Sequence, residues 1–147
     1  MASTIPAVLD ELLARARLAL PGVQVLDGQP TTDTEPDVIA IGFTGAPGEP
    51  VVEATEERAQ LAASPDRERY DVTCLASAWI GDDDARKARD RAFELLETFR
   101  AELQRDSTLG GLVLSARLAV ISFAPEQTSQ GAVATIRFAV RIDAFAR

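Results

Sequence analysis

The sequence predicts an α+β domain in which a mainly antiparallel sheet is flanked by two helices and carries a projecting β-hairpin arm. Two segments place apolar residues at three- and four-residue spacing, which is typical of amphipathic helices. Other segments alternate apolar and polar residues, which is typical of strands with one buried face. The order helix, strands, helix, strands favours one sheet covered by two helices. The length of 147 residues suits a single domain, residues 1–147.

The first predicted helix covers residues 3–20. Ser3 and Thr4 are residue types that cap helices, and the Pro-Gly pair at 21–22 ends the segment. The apolar stripe of this helix consists of Leu9, Leu12, Leu13, Ala16 and Leu20. We expect this stripe to face the core.

Two short strands are predicted next, at residues 23–26 and 38–44, separated by a polar stretch that holds two prolines. The second of these is apolar enough to be largely buried. A turn rich in glycine and proline follows at residues 45–50.

Residues 51–69 give conflicting signals. Their composition favours a helix, but they lack a wide apolar stripe and are followed by the turn signal Ser-Pro-Asp at 64–66. If residues 51–61 instead pair with 68–80, the two segments form a long hairpin whose outer end is almost entirely charged. We expect such an end to project as an arm, because charged side chains are rarely buried.

Residues 70–80 form the clearest predicted strand. Its even-numbered residues are apolar or aromatic, whereas Asp71, Thr73 and Ser77 are polar. Leu75 and Trp79 interrupt the polar side, so they form either a second packing layer or an exposed apolar spot. Trp79 is either an interface anchor or a residue covered by the second helix.

The second predicted helix begins after three consecutive aspartates, 82–84, and ends near residue 105. The aspartates suit the positive end of a helix, and the alternative is a Mg²⁺ site. The basic residues Arg86, Lys87, Arg89 and Arg91 are interleaved with acids, several of them three or four residues away, which favours a solvated, salt-bridged surface over a phosphate-binding one. Strands at 112–123 and 132–145, joined by a loop at 124–131, complete the predicted sheet as an antiparallel pair.

Composition excludes several classes of function. The chain has no histidine, so catalytic designs that use an imidazole base are absent. Its one cysteine, Cys74, excludes an internal disulfide and is expected to be a buried small residue. A net charge of −8 repels a phosphate backbone. No apolar stretch is long enough to cross a membrane, and no secretion signal is seen, so we expect synthesis in the cytoplasm.

Several segments, spread over nearly the whole chain, together resemble the tail terminator or minor tail proteins of actinobacteriophages. Their order and collinearity carry the resemblance, since none of them is a catalytic motif. They are residues 19–25 (ALPGVQV), 52–55 (VEAT), 69–74 (RYDVTC), 88–93 (ARDRAF), 106–112 (DSTLGGL) and 130–138 (QGAVATIRF).

The resemblance implies a fold of the lambda-type tail terminator kind and a ring, usually of six copies, in the virion at the tail end nearest the head. Such a ring caps the tail tube, ends its polymerisation and offers a surface to the neck or head-completion protein. It uses no cofactor, no metal and no catalytic residue. The acidic balance of this chain would let genomic DNA pass through the ring without binding.

A head-to-tail ring joins two different patches of each subunit. We place one patch on the arm, residues 53–69, and the other near Trp79 and the exposed side of the last strands. The candidate interface residues are Glu53, Glu56, Glu57, Arg58, Arg67, Arg69, Leu75, Trp79, Arg137 and Arg141.

Three other functions remain open at this stage. The first is a head–tail connector or neck completion protein of the same virion. The second is a metal-dependent hydrolase built on Asp82, Asp83 and Asp84. The third is a binding module for a small ligand.

Overall fold

The computed structural model describes residues 2–31, 33–57 and 65–147. It contains two helices and six strands in these residues. In chain order they are α1 (Ile5–Ala19), β1 (Gln24–Asp27), β2 (Asp37–Ile41), β3 (Val52–Glu57), β4 (Arg67–Ile80), α2 (Ala85–Arg105), β5 (Ser115–Thr128) and β6 (Gly131–Phe145).

The six strands form a single sheet with the order β1-β2-β4-β6-β5. Strand β3 pairs with the same edge of β4 as β2 does, but further along it: β2 pairs with residues 74–78 and β3 with residues 67–72. Only β1 and β2 are parallel, and every other pair is antiparallel. The predicted α+β class with a mainly antiparallel sheet and two helices is therefore confirmed.

Both helices pack on one face of the sheet and form the core with it. The even-numbered residues of β4 and β6 point into this core, because side chains alternate along a strand. The helix α2 contributes Leu95, Leu96, Phe99 and Leu103, all nearly inaccessible to solvent. The ring of Phe99 meets that of Phe138 edge-on, with centroids 6.1 Å apart.

The start of α1 differs from the simple capping expected for Ser3 and Thr4. The hydroxyl of Ser3 accepts a hydrogen bond from Ile5 N at 3.2 Å, but the Thr4 side chain forms no cap bond. The carboxylate of Glu68 on β4 instead accepts a hydrogen bond from Thr4 N at 2.8 Å. A side chain distant in sequence thus satisfies a free backbone donor of this helix end.

The segment with conflicting signals forms a strand where it is described, because β3 pairs with β4 over residues 52–57 and 67–72. The projecting arm is not confirmed. Residues 67–72 lie between β3 and β6 within the sheet, and Glu68, expected at a charged outer end, is completely buried. The remaining residues of the expected arm, 58–64 including Arg58, lie outside the described residues.

The prediction of a loop at residues 124–131 was wrong for most of that range. Strand β5 continues to Thr128, and residues 129 and 130 alone connect it to Gly131. The register between β5 and β6 shifts by one residue at Ile121, as in a β-bulge.

Gly131, the first residue of β6, has φ +131°. A Cβ atom there would clash with the carbonyl oxygen of Ile80, so only glycine fits without movement.

Candidate interaction surface

The face of the sheet opposite the helices, here called the outer face, carries most of the candidate interface residues. It presents the odd-numbered side chains of β3, β4 and β6, because the even-numbered ones of β4 and β6 form the core. Arg69, Leu75, Trp79, Arg137 and Arg141 therefore share one face, together with Glu53 and Glu57 of β3.

Four charged residues form one row across four neighbouring strands of the outer face. The register places Arg117 of β5 opposite Arg141 of β6, Arg141 opposite Asp71 of β4, and Asp71 opposite Glu53 of β3. We call this set the charge row. Its two central residues form an exposed ion pair, with Arg141 Nε 3.8 Å from Asp71 Oδ2. The row therefore runs from positive at β5 to negative at β3.

A second charged group on this face is satisfied within the chain. Asp143 of β6 accepts hydrogen bonds from Arg67 Nε at 2.9 Å and Arg67 Nη2 at 2.6 Å. The hydrogen bond from Arg67 lowers the pKa of Asp143, although partial burial opposes the shift. Arg69 donates to Glu57 at 3.2 Å. The first contact joins β4 to β6, and the second joins β4 to β3. Arg67, Arg69 and Glu57 therefore each have a partner of opposite charge within the chain.

An open concavity of about 620 Å³ lies between these charged groups. Its lining includes the whole charge row, Arg69, and Pro50 and Val51 of the turn before β3. Charges of both signs line it, which suits a polar protein surface better than an apolar ligand.

Leu75 and Trp79 have different surroundings on the outer face. Leu75 is half-buried beneath the turn at Gly45, where an added Cβ atom would lie 3.6 Å from Leu75 Cδ1, so it belongs to a small second packing layer. Trp79 is 40% exposed, and its Nε1 donates to the carbonyl oxygen of Gln130 at 3.1 Å. Helix α2 packs on the other face and does not cover Trp79. Arg137 is exposed beside the Gly45 turn.

Strand β5 forms one edge of the sheet, and the residues of its second half are exposed. Every residue from 120 to 128 is exposed, including Val120, Ile121 and Phe123 at 37–52%. Phe123 also touches Phe93 of α2, with ring centroids 5.7 Å apart. An open strand edge with exposed apolar side chains is a site where another chain can add.

Of the three aspartates before α2, Asp84 caps the helix and Asp82 supports the turn that leads into it. Asp84 Oδ1 accepts hydrogen bonds from the backbone of Arg86 and Lys87, and Asp82 Oδ1 accepts one from Asp84 N. Asp82 Oδ2 lies 3.4 Å from Lys87 Nζ. Within the described part of the chain, no three Asp, Glu, Cys or His side chains are grouped so that they could hold a metal ion.

The basic run of α2 forms ion pairs, as the sequence predicts. Arg86 lies 3.7 Å from Asp90, and Arg91 lies 2.8 Å from both Asp37 and Glu94. The bond to Asp37 also ties α2 to β2.

Cys74 is fully buried, and this burial raises the pKa of its thiol to about 12, which confirms its expected role as a small core residue.

Sequence reasoning missed three residues of the outer face: Asp71, Asp143 and Arg117. The first two follow from the alternation of β4 and β6, which placed them on the polar side without identifying their partners. Arg117 could not be placed in this way, because its position opposite Arg141 depends on the bulge at Ile121.

Glu56, a candidate interface residue, is exposed on β3 opposite the buried Glu68. It therefore lies on the other face of the sheet from Glu53.

No protein-family model matches the chain, and no curated protein matches it significantly. Within the described residues, neither helix is long and apolar enough to span a membrane.

Proposed function

We propose that this protein is a phage tail terminator, a structural virion protein that forms a head-to-tail ring on the end of the tail tube. In this role it ends tube polymerisation and provides the surface to which the head attaches through a neck protein. The collinear segments that resemble actinobacteriophage tail proteins suggest this function. The outer face carries the proposal further, because it offers two different patches at opposite edges of one sheet.

A head-to-tail ring requires two such patches on each subunit, since every copy contacts one neighbour with each. The first patch is the edge strand β3, with Glu53 on the outer face and Glu57, which is paired with Arg69, beside it. The second is the β5–β6 side, which carries Arg117, Arg137 and Arg141. Trp79 adds an aromatic side chain of the kind enriched where interfaces are tightest.

The charge balance of the chain supports passage of DNA through such a ring. The net charge is −8, and DNA carries one negative charge per phosphate. Like-charge repulsion would keep the genome from binding to the wall of the opening. The function then consists of contacts with copies of itself, with the tube protein and with the neck protein, and no bond is made or broken.

Tube polymerisation in the presence of this protein tests the proposal. The tube protein of the same virion is polymerised with and without the chain, and tube lengths are measured by electron microscopy. A tail terminator limits tube length and is found by antibody labelling at one end of the tube, nearest the head in intact particles. Unchanged tube lengths at equal subunit concentrations would contradict the proposal. Labelling on the head side of the joint, with tube length unaffected, would instead favour a neck protein.

A further inference from the structure

The two end residues of the charge row have charges that no described side chain neutralises. Arg117 on β5 and Glu53 on β3 are both exposed, and neither forms an ion pair within the described residues. Each also lies opposite a residue of its own sign, Arg117 beside Arg141 and Glu53 beside Asp71. Like charges placed directly opposite in a sheet repel one another, so this arrangement is unfavourable in a single copy.

Both end residues also lie on open strand edges. Strand β5 pairs with β6 alone and β3 pairs with β4 alone, so within the described residues one edge of each has no partner strand. Open edges present backbone donors and acceptors to another chain. The residues that are unfavourable in one copy therefore occupy the two places where a second copy can approach.

We infer that the β5 edge of one copy docks against the β3 edge of a second copy, with Arg117 of the first facing Glu53 of the second. Side-by-side sheets continue the charge row from one copy to the next, so that each end residue gains a neighbour of opposite sign. Because the two edges differ, the contact is head-to-tail and can repeat around a ring. The inference rests on the proposed ring, for which it names the pair of edges that meet.

Charge reversal separates this interface from folding. Arg117→Glu places an acid opposite Arg141, and Glu53→Arg places a base opposite Asp71, so both variants remove a like-charge pair within the chain. Each is expected to fold with a melting temperature at or above that of the wild type. Each also brings like charges together between copies, and we expect self-association to weaken at least about tenfold.

The test measures mass by light scattering and sedimentation for the full chain at low salt. The variants Arg117→Glu and Glu53→Arg alone are expected to dissociate. An equimolar mixture of the two, or the double variant, is expected to regain the wild-type mass, because each new acid then meets a new base. Arg89→Glu on α2 and Asp10→Arg on α1 make the same charge changes at exposed positions elsewhere and are expected to leave the mass unchanged.

Single variants that associate like the wild type, or a mixture that does not recover, would overturn the inference, as would a wild type that remains monomeric. The inference would also be overturned if the single variants no longer bound the tube but still self-associated. The partner of the β5 or β3 edge would then be the tube protein and not a second copy. If the variants behave as expected but the wild type does not limit tube length, the proposed function fails and the docking geometry stands. If the wild type limits tube length while the single variants still self-associate, only the docking geometry fails.

Discussion

Glu68 on β4 holds the first turn of α1 through Thr4, although the two residues are 64 positions apart. One carboxylate oxygen accepts hydrogen bonds from Thr4 N at 2.8 Å and from Thr4 Oγ1 at 2.9 Å, and the other accepts one from Ser3 Oγ at 2.6 Å. Glu68 is completely buried. Burial on its own raises the pKa of this carboxyl, but the hydrogen bonds from Ser3 and Thr4 outweigh it, so the pKa is lower than usual.

Glu68→Gln is expected to lower the free energy of unfolding by about 1–3 kcal/mol at pH 7, because a neutral amide replaces a carboxylate that accepts three hydrogen bonds, and the amide nitrogen cannot accept the one from Ser3 Oγ. Urea denaturation measures the loss. Glu126→Gln, at an exposed position of β5 opposite Val133, is the matched control and is expected to stay within about 0.5 kcal/mol of the wild type.

The wild type and Glu68→Gln together also test the direction of the pKa shift of Glu68. A lowered folded-state pKa stabilises the fold above the unfolded value, near pH 4.3, and this contribution is lost as pH falls through the folded-state pKa. The stability difference between wild type and Glu68→Gln should therefore shrink in acid. A difference that stays constant from neutral to acid pH would contradict the assigned role.

Gly131→Ala is expected to cost at least about 2 kcal/mol of stability, since the added Cβ meets the Ile80 carbonyl and the backbone has positive φ. Thermal unfolding measures this effect. Gly81→Ala is the control, because nothing lies within 4 Å of a Cβ at that position. Equal melting temperatures for the two variants would show that the turn after β5 is placed differently.

Cys74 is expected to react with a maleimide at pH 8 at least about a hundredfold more slowly in the folded protein than in guanidinium chloride. Burial excludes the reagent and raises the pKa of the thiol to about 12, so little thiolate is present. Mass spectrometry of timed samples follows the reaction. Rapid labelling of the folded chain would be incompatible with the core described for β4.

Trp79 lies on β4, away from the two docking edges, and we expect the ring contact to extend from those edges onto the outer face around it, so Trp79→Ala should weaken self-association by more than about 1 kcal/mol. Leu18→Ala is the control, because Leu18 is an apolar residue of α1 that is 68% exposed and lies away from the outer face. Sedimentation equilibrium gives both values, and circular dichroism checks the fold. The same dissociation constant for both variants would remove Trp79 from the interface.

The alternation of residues in β4 and β6 was sufficient to predict their buried faces, because each strand has helices on one side only. Residues 52–57 were harder, since their composition favours a helix and pairing with β4 decides the outcome. The burial of Glu68 could not be predicted, because its partners lie at the distant start of α1.

The pairing register between β5 and β6 is the feature of the outer face that the sequence predicted least well. A regular two-residue hairpin would have placed Leu118 opposite Arg141 on the outer face. The bulge at Ile121 moves Leu118 towards the core and brings Arg117 opposite Arg141 instead. No turn residue or glycine marks this bulge, so the charge row became visible only in the folded chain.

Native mass spectrometry of the wild-type chain tests most directly whether it builds a closed ring from copies of itself. A closed head-to-tail assembly gives one dominant species with a fixed number of 15.7 kDa subunits, and the resemblance to tail terminators predicts six. The mass should not grow with concentration once the ring is complete. A chain that remains a monomer at all concentrations, or one that forms a continuous ladder of sizes, would contradict the account.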